Sequence, residues 1–174
     1  MVVAPLPDWV RRPDLDEMLR SVLRFPAGDY AEVGVWRGEC AARIAKGMNN
    51  DFSLWLFDSF LGHAEPGEHD IQQYHWKGRY SDTSPELISG LVPSAKIVKG
   101  WIPDSLEIVT DRKFRFVRVD VDHYAPTYGA TKFFLPRMVK GGIIQFDDYK
   151  HDHCPGATKA IEELIGPNQG YWVM

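Results

Sequence analysis

Two kinds of apolar pattern alternate along this chain: helical stripes and short unbroken runs. Leu15, Met18, Leu19, Val22 and Leu23 follow Asp14, a residue suited to an N-cap, and predict a helix that Phe25-Pro26-Ala27-Gly28 ends. Residues 30–35 (YAEVGV) form an apolar run around Glu32 and Gly34. Residues 39–48 then return to helical spacing through Cys40, Ala41, Ile44, Ala45 and Met48. Residues 53–60 (SLWLFDSF) read as a buried strand ending at Asp58. A short helix is predicted over 84–91, with Pro85 in its first turn, and a strand over 95–99 closed by Gly100. The stretch from Trp101 to Leu106 is expected to start another helix. Residues 114–122 (FRFVRVDVD) alternate as a strand does; residues 126–138 place Tyr128, Thr131, Phe134, Leu135 and Met138 on one helical side. Gly141-Gly142 is expected to stop that helix before a strand over 142–149 (GIIQFDDY). A final helix over 157–165 and a short strand over 171–174 follow. Residues 1–13, with Pro5, Pro7 and Pro13, are expected on the surface without regular structure. Strand and helix alternating throughout predict an α/β domain, a parallel sheet wrapped by helices.

Chemistry concentrates where these strands end. The first strand runs into E-x-G-x-x-x-G (Glu32, Gly34, Gly38) and then a helix; glycine in such a turn lets a ligand lie against the backbone. The same turn also serves as a plain strand-to-helix connection. The spacing is not the G-x-G-x-x-G of dinucleotide sites. Asp58 follows about 25 residues later, the separation of the carboxylate that holds ribose hydroxyls in nucleotide-binding sheets, although a capping role would suit it too. Residues 61–82 are irregular; loops of about 20 residues are usually binding segments or lids. This one carries Tyr74, Trp76, Tyr80, His63, His69 and His75, and the histidines, lacking metal-ligand spacing, read as loop histidines. Two strand ends supply Asp120, Asp122, Asp147 and Asp148. Four clustered carboxylates repel unless they are caps and surface charges, or unless a hard dication such as Mg²⁺ sits among them.

Composition narrows the partners. At 174 residues the chain is one domain, 1–174, large enough to bury about 70% of its unfolded surface. Net charge is −4 with no block of Lys or Arg, which argues against nucleic acid or an anionic membrane. Cys40 and Cys154 form no C-x-x-C pair and suit a reducing, cytoplasmic setting. No signal-like or membrane-spanning apolar run is present in the sequence.

Four blocks, EVGVWRG, LFDSFLG, RVDVDHYAPT and GGIIQFDDY, in this order, resemble the macrocin O-methyltransferase (TylF) family of S-adenosylmethionine-dependent enzymes over about residues 28–165. The resemblance implies a Rossmann-like methyltransferase fold with helices on both faces of a mostly parallel sheet. It implies that Glu32, Gly34, Val35 and Gly38 frame the methionine part of the cofactor, that Asp58 holds the ribose, and that Ser59 and Trp101 flank the nucleoside. Asp122, Asp147 and Asp148 fall at its metal positions, with Asp120 near the cofactor and a fourth candidate ligand. Val121 and Ala125-Pro126 depart from the family pattern on the substrate side. Family members finish with two further strands as an antiparallel hairpin; only GPNQGYWVM follows Ile165, so shortened C-terminal strands are expected, in a region that can also serve a homo-oligomer.

The implied reaction is methyl transfer to a hydroxyl of a small molecule, a sugar, catechol or natural-product moiety, with Mg²⁺ or another divalent cation acidifying the oxygen. Candidate bases are Asp122 first and His153 second, with Lys150, His123 and His151 nearby. Two other readings compete: a nicotinamide-dependent oxidoreductase, disfavoured by the missing third glycine, and a cofactor-binding protein without turnover.

Overall fold

Alternating side chains on each central strand point into two separate cores, and this sets the layering. In the computed structural model, which describes residues 14–167 and the backbone of 171–173, the order is α1 (Leu15–Val22), β1 (Asp29–Val33), α2 (Glu39–Gly47), β2 (Leu54–Asp58), α3 (Pro85–Leu91), β3 (Lys96–Lys99), β4 (Phe114–Val119), α4 (Tyr124–Phe134), β5 (Met138–Phe146), α5 (Pro155–Ile165) and β6 (Tyr171–Val173). The tail expected over 1–13 and the final residue of the last strand lie outside the described residues. The sheet runs β3-β2-β1-β4-β5-β6; the first five strands are parallel, and β6 is antiparallel to β5, with Trp172 opposite Ile144. On one face Tyr30, Leu54, Leu56, Phe116 and Ile143 pack on Met18, Leu19, Ile44 and Ile88 of α1, α2 and α3. On the other, Ala31, Phe57, Val117 and Ile144 pack on Ala130, Phe134 and Ile161 of α4 and α5. This is the expected Rossmann-like α/β architecture.

Three boundaries differ from the sequence pattern, each for a local reason. The turn after Trp101 forms a 3₁₀ helix (Asp104–Val109) rather than an α-helix, burying Leu106 and Val109. α4 begins two residues early, at Tyr124, because Asp70 Oδ1 accepts the Tyr124 N–H at 2.8 Å; the N-cap residue itself, His123, supplies no side-chain cap. β5 starts at Met138, so Gly141-Gly142 lies inside a strand. The register steps from Phe114 opposite Met138 to Phe116 opposite Ile143, and Gly141 adopts φ +81°. A Cβ on Gly141 would stand 2.2 Å from the Phe25 ring. The glycine pair therefore makes an irregularity against α1's exit, not a helix stop.

Phe134 is fully buried against Phe57 and Phe114, with ring centroids 6.3 and 5.0 Å away. Phe134→Ala should cost about 3–5 kcal/mol of stability. Chemical denaturation followed by far-UV circular dichroism reads this as a lowered midpoint.

Candidate active site

At the carboxyl ends of β1, β2 and β4 a cavity of about 590 Å³ opens between the sheet and residues 61–82. Gly34, Val35, Asp58, Ser59, Trp101 and Asp120 line it. Gly34 has φ +84°, and a Cβ there would lie 1.7 Å from the Asp120 carbonyl oxygen. The close approach that demands glycine is thus first that of the neighbouring strand end. Gly38 (φ +82°) does not line the cavity; its missing Cβ makes room for Ile88 and Leu91 of α3. Asp58 latches the turn: Oδ2 accepts the N–H groups of Val35 (2.8 Å) and Trp36 (3.0 Å), and Oδ1 accepts that of Phe60 (2.8 Å). Ser59 Oγ donates to the Gly62 carbonyl and accepts from the Leu61 N–H. Trp101 stands at the mouth, about half exposed.

Beneath the turn lies a residue that periodicity alone had marked only as part of a strand. Arg118 is opposite Glu32 in β1 and Gln145 in β5. Its guanidinium bonds Glu32 Oε1 at 3.2 Å, Asp120 Oδ2, and Asp147 Oδ1 at 2.8 Å. Glu32 is completely buried, and its Oε2 has no partner among the described residues. Burial, opposed by Arg118 and helped by the Asp120 charge, pushes the Glu32 carboxyl up to about 8. Asp120 is raised to about 6, chiefly by burial. Three carboxylates share one cation, and register is the signal that finds it. A count of acids per strand end does not.

The remaining acids belong to a second group. Asp122 has φ +59°, a left-handed conformation uncommon for a non-glycine residue. Its N–H donates to Asp148 Oδ2 (2.9 Å), its Oδ2 lies 2.9 Å from His63 Nε2, and the Cys154 thiol donates to its Oδ1 (3.3 Å). Its carboxyl is lowered despite burial, through hydrogen bonding and charge from His63. Asp148 is raised well above the usual range by burial and by the charges of Asp120 and Asp122. Oxygens of Asp120, Asp122 and Asp148 come within 4.8 Å of one another, a set able to hold a cation. Asp147 lines the cavity but is turned to Arg118 and is half exposed. Among the base candidates, His123 is buried and pushed down to about 4, largely by burial. His153 lines the cavity and stacks on Tyr74 at 3.8 Å, and His151 also lines it. Lys150 does not; it is exposed, with its ammonium over the Tyr149 ring.

Residues 61–82 are tied down at several points. Asp70 caps α4, His63 meets Asp122, and His75 Nε2 donates to the His153 carbonyl at 2.6 Å. Gly62, His63, His75, Arg79 and Tyr80 all face the cavity. Among the described residues no helix is long and apolar enough to cross a membrane.

The sequence pattern of the macrocin-O-methyltransferase (TylF) family matches residues 11–165. A tetracenomycin-C-type rhamnosyl 4'-O-methyltransferase of Streptomyces olivaceus is 27% identical over 147 residues, 75% of this chain and 56% of that protein. Demethyldecarbamoylnovobiocin O-methyltransferase of Streptomyces niveus is 27% identical over 153 residues, 78% of this chain and 57% of that one. The chain thus spans little more than half the length of these relatives. Among solved structures, the calicheamicin methyltransferase CalS11 superposes with a TM-score of 0.77 at 20% identity. The O-methyltransferase NovP gives 0.73 at 23%; each comparison covers 91% of this chain and 76% of the other. These likenesses establish the fold.

The raised Glu32 carboxyl has a consequence for stability. A group whose folded pKa exceeds its unfolded value stabilises fully below the unfolded value, and the contribution is lost as pH rises through the folded one. Stability should therefore decline between about pH 4.5 and 8 through Glu32. Glu32→Gln should flatten that decline in urea midpoints measured at pH 5 and pH 8; equal slopes for both proteins would refute it.

Proposed function

The chain belongs to the macrocin-O-methyltransferase (TylF) family, and from that membership we propose that it transfers a methyl group from S-adenosylmethionine to a hydroxyl of a small natural-product molecule, a sugar moiety above all. The observation that carries this reading is one cavity joining the glycine turn and Asp58 on one side to the paired strand-end acids on the other. The two relatives named for O-methylation of a rhamnosyl-bearing and a novobiocin-type compound support the acceptor class. Net charge −4 without a basic block supports a free small molecule over nucleic acid, and two unpaired cysteines accord with a cytoplasmic setting.

The cavity volume lies in the range of ordinary small-molecule sites. Gly34 and Val35 present backbone to the methionine portion, Ser59 and Trp101 the walls of the nucleoside portion, and Asp58 the ribose acceptor. A carboxylate offers about four lone-pair positions, and three of those on Asp58 already hold backbone N–H groups, so one remains for a ribose hydroxyl while the turn stays latched. Glu32 acts from behind the turn, through Arg118. Asp58→Ala should weaken cofactor binding at least tenfold in calorimetry with the fold intact by circular dichroism; unchanged affinity would take Asp58 out of the site.

The donors on the acid side fit a hard divalent cation. They are all oxygens, they come within 4.8 Å, and Asp148 is a buried carboxyl beside two others while Arg118 is committed to Glu32, Asp120 and Asp147. Asp120, Asp122 and Asp148 would hold it, Asp120 taking the position that the family resemblance gives to Asp147. Such a cation, Mg²⁺, would acidify an acceptor hydroxyl. Asp122, ionised and beside His63, would be the proton acceptor through the oxygen left free by the cation, with His153 the second choice; Lys150 stands outside the cavity. Holding acceptor and methyl group in line can supply up to about 7–11 kcal/mol of the barrier. Incubation with labelled S-adenosylmethionine and a panel of glycosides and catechols should give labelled product. Excess EDTA, or Asp148→Asn, should abolish it and leave cofactor binding in place. Full transfer in EDTA would overturn the cation, and cofactor binding without any transfer would leave a binding protein.

A further inference from the structure

Beside the cavity three imidazoles converge that methyl transfer does not require together. His63 and His75 come from residues 61–82, and His123 follows β4. Their ring centroids are 4.5 Å (His63 to His123), 5.2 Å (His75 to His123) and 5.5 Å (His63 to His75) apart, and one nitrogen of each lies within 4.8 Å of the others. His75 and His123 are 2% and 3% exposed, and the His63 side chain 10%. Each ring has one buried nitrogen without a hydrogen-bond partner among the described residues: His63 Nδ1, His75 Nδ1 and His123 Nε2.

The opposite nitrogen of each ring faces an acceptor. His63 Nε2 lies 2.9 Å from Asp122 Oδ2, His75 Nε2 lies 2.6 Å from the His153 carbonyl, and His123 Nδ1 lies 4.0 Å from Asp70 Oδ2. A carbonyl can only accept, so His75 Nε2 carries hydrogen and Nδ1 carries a lone pair. Asp122 fixes His63 in the same tautomer. His63 and His75 are thus held by outer acceptors as the ligands of a histidine metal centre are, donating the far N–H to a carboxylate or carbonyl, while His123 Nδ1 has the Asp70 carboxylate nearby but beyond hydrogen-bond distance.

We propose that His63, His75 and His123 bind a transition-metal dication of the Zn²⁺ class, at a site separate from the oxygen-only set of Asp120, Asp122 and Asp148. Imidazole nitrogen selects Zn²⁺, Co²⁺ or Ni²⁺ over Mg²⁺. Zinc–nitrogen bonds of about 2.0–2.1 Å require the three nitrogens to draw in to roughly 3.4 Å. All three side chains line the cavity, which gives the ion a path and leaves a fourth position for water. Two ligands belong to the loop and one to the N-cap of α4, so the ion would clamp residues 61–82 over the cavity. The proposal does not depend on the methyl-transfer reading.

The untagged 174-residue chain, stripped with chelator and titrated with Co²⁺, tests it. The expected result is the strong visible absorption of four-coordinate Co²⁺ saturating at one equivalent, displaced by Zn²⁺ and not by excess Mg²⁺. His75→Gln and His123→Gln, each checked by circular dichroism, should weaken binding at least tenfold, while His69→Ala should leave it unchanged. Weak six-coordinate colour in the wild-type protein, displacement by Mg²⁺, or unaltered binding in the folded glutamine variants would overturn the site. Wild-type absorption alone decides if a variant fails to fold.

Discussion

Arg118 is the charge on which the carboxyl end of the sheet depends. It sits between Glu32 and Gln145 on adjoining strands and gathers Glu32, Asp120 and Asp147 around one buried guanidinium. Without it, three acids would face one another with Glu32 fully buried, and removing one partner of a buried ion pair typically costs about 3–5 kcal/mol. With it, the group still carries more negative than positive charge, and Glu32, raised chiefly by its burial and further by the Asp120 charge, is held down only in part by Arg118. The delocalised fork of arginine meets three carboxylates at once, which the point charge of lysine cannot reproduce.

This pairing divides the acids of the strand ends into two systems with different chemistry. One is gathered by Arg118 and fixes the floor of the glycine turn. The other, Asp122 and Asp148 with Asp120 at the border, faces histidines and a buried thiol and has no permanent cation among the described residues. The left-handed backbone at Asp122 aims its carboxylate at His63. Strain of this kind persists only where surrounding contacts enforce it, and here a hydrogen bond from the Asp122 N–H to Asp148 does so.

Residues 61–82 join these systems to the helical layer. Asp70 closes the open N-terminus of α4, an anchor that satisfies a backbone donor its own cap residue leaves unpaired. His75, almost fully buried, is held to the chain that leads into α5. The loop is thereby part of the cavity wall, placed by the same elements that build the acid cluster.

The sequence by itself determined the class of fold, because strand runs and helical stripes have different periods and their alternation admits few topologies. It also located the turn at Gly34, the acid at Asp58 and the four strand-end aspartates, since these follow directly from where strands stop. The family resemblance in its four blocks agrees with the match over residues 11–165. Tertiary structure decided the rest. Which acids share a cation depends on strand register, and register brought Arg118 to Glu32 from 86 positions away in the chain. His63, His75 and His123 have no ligand spacing in sequence and meet only because a loop folds back onto a strand end. Gly141-Gly142 read as a stop from local propensity, yet the Phe25 ring packed against that backbone made it part of a strand. Period and propensity are properties of neighbours in the chain; charge pairing and ligand geometry are properties of neighbours in space.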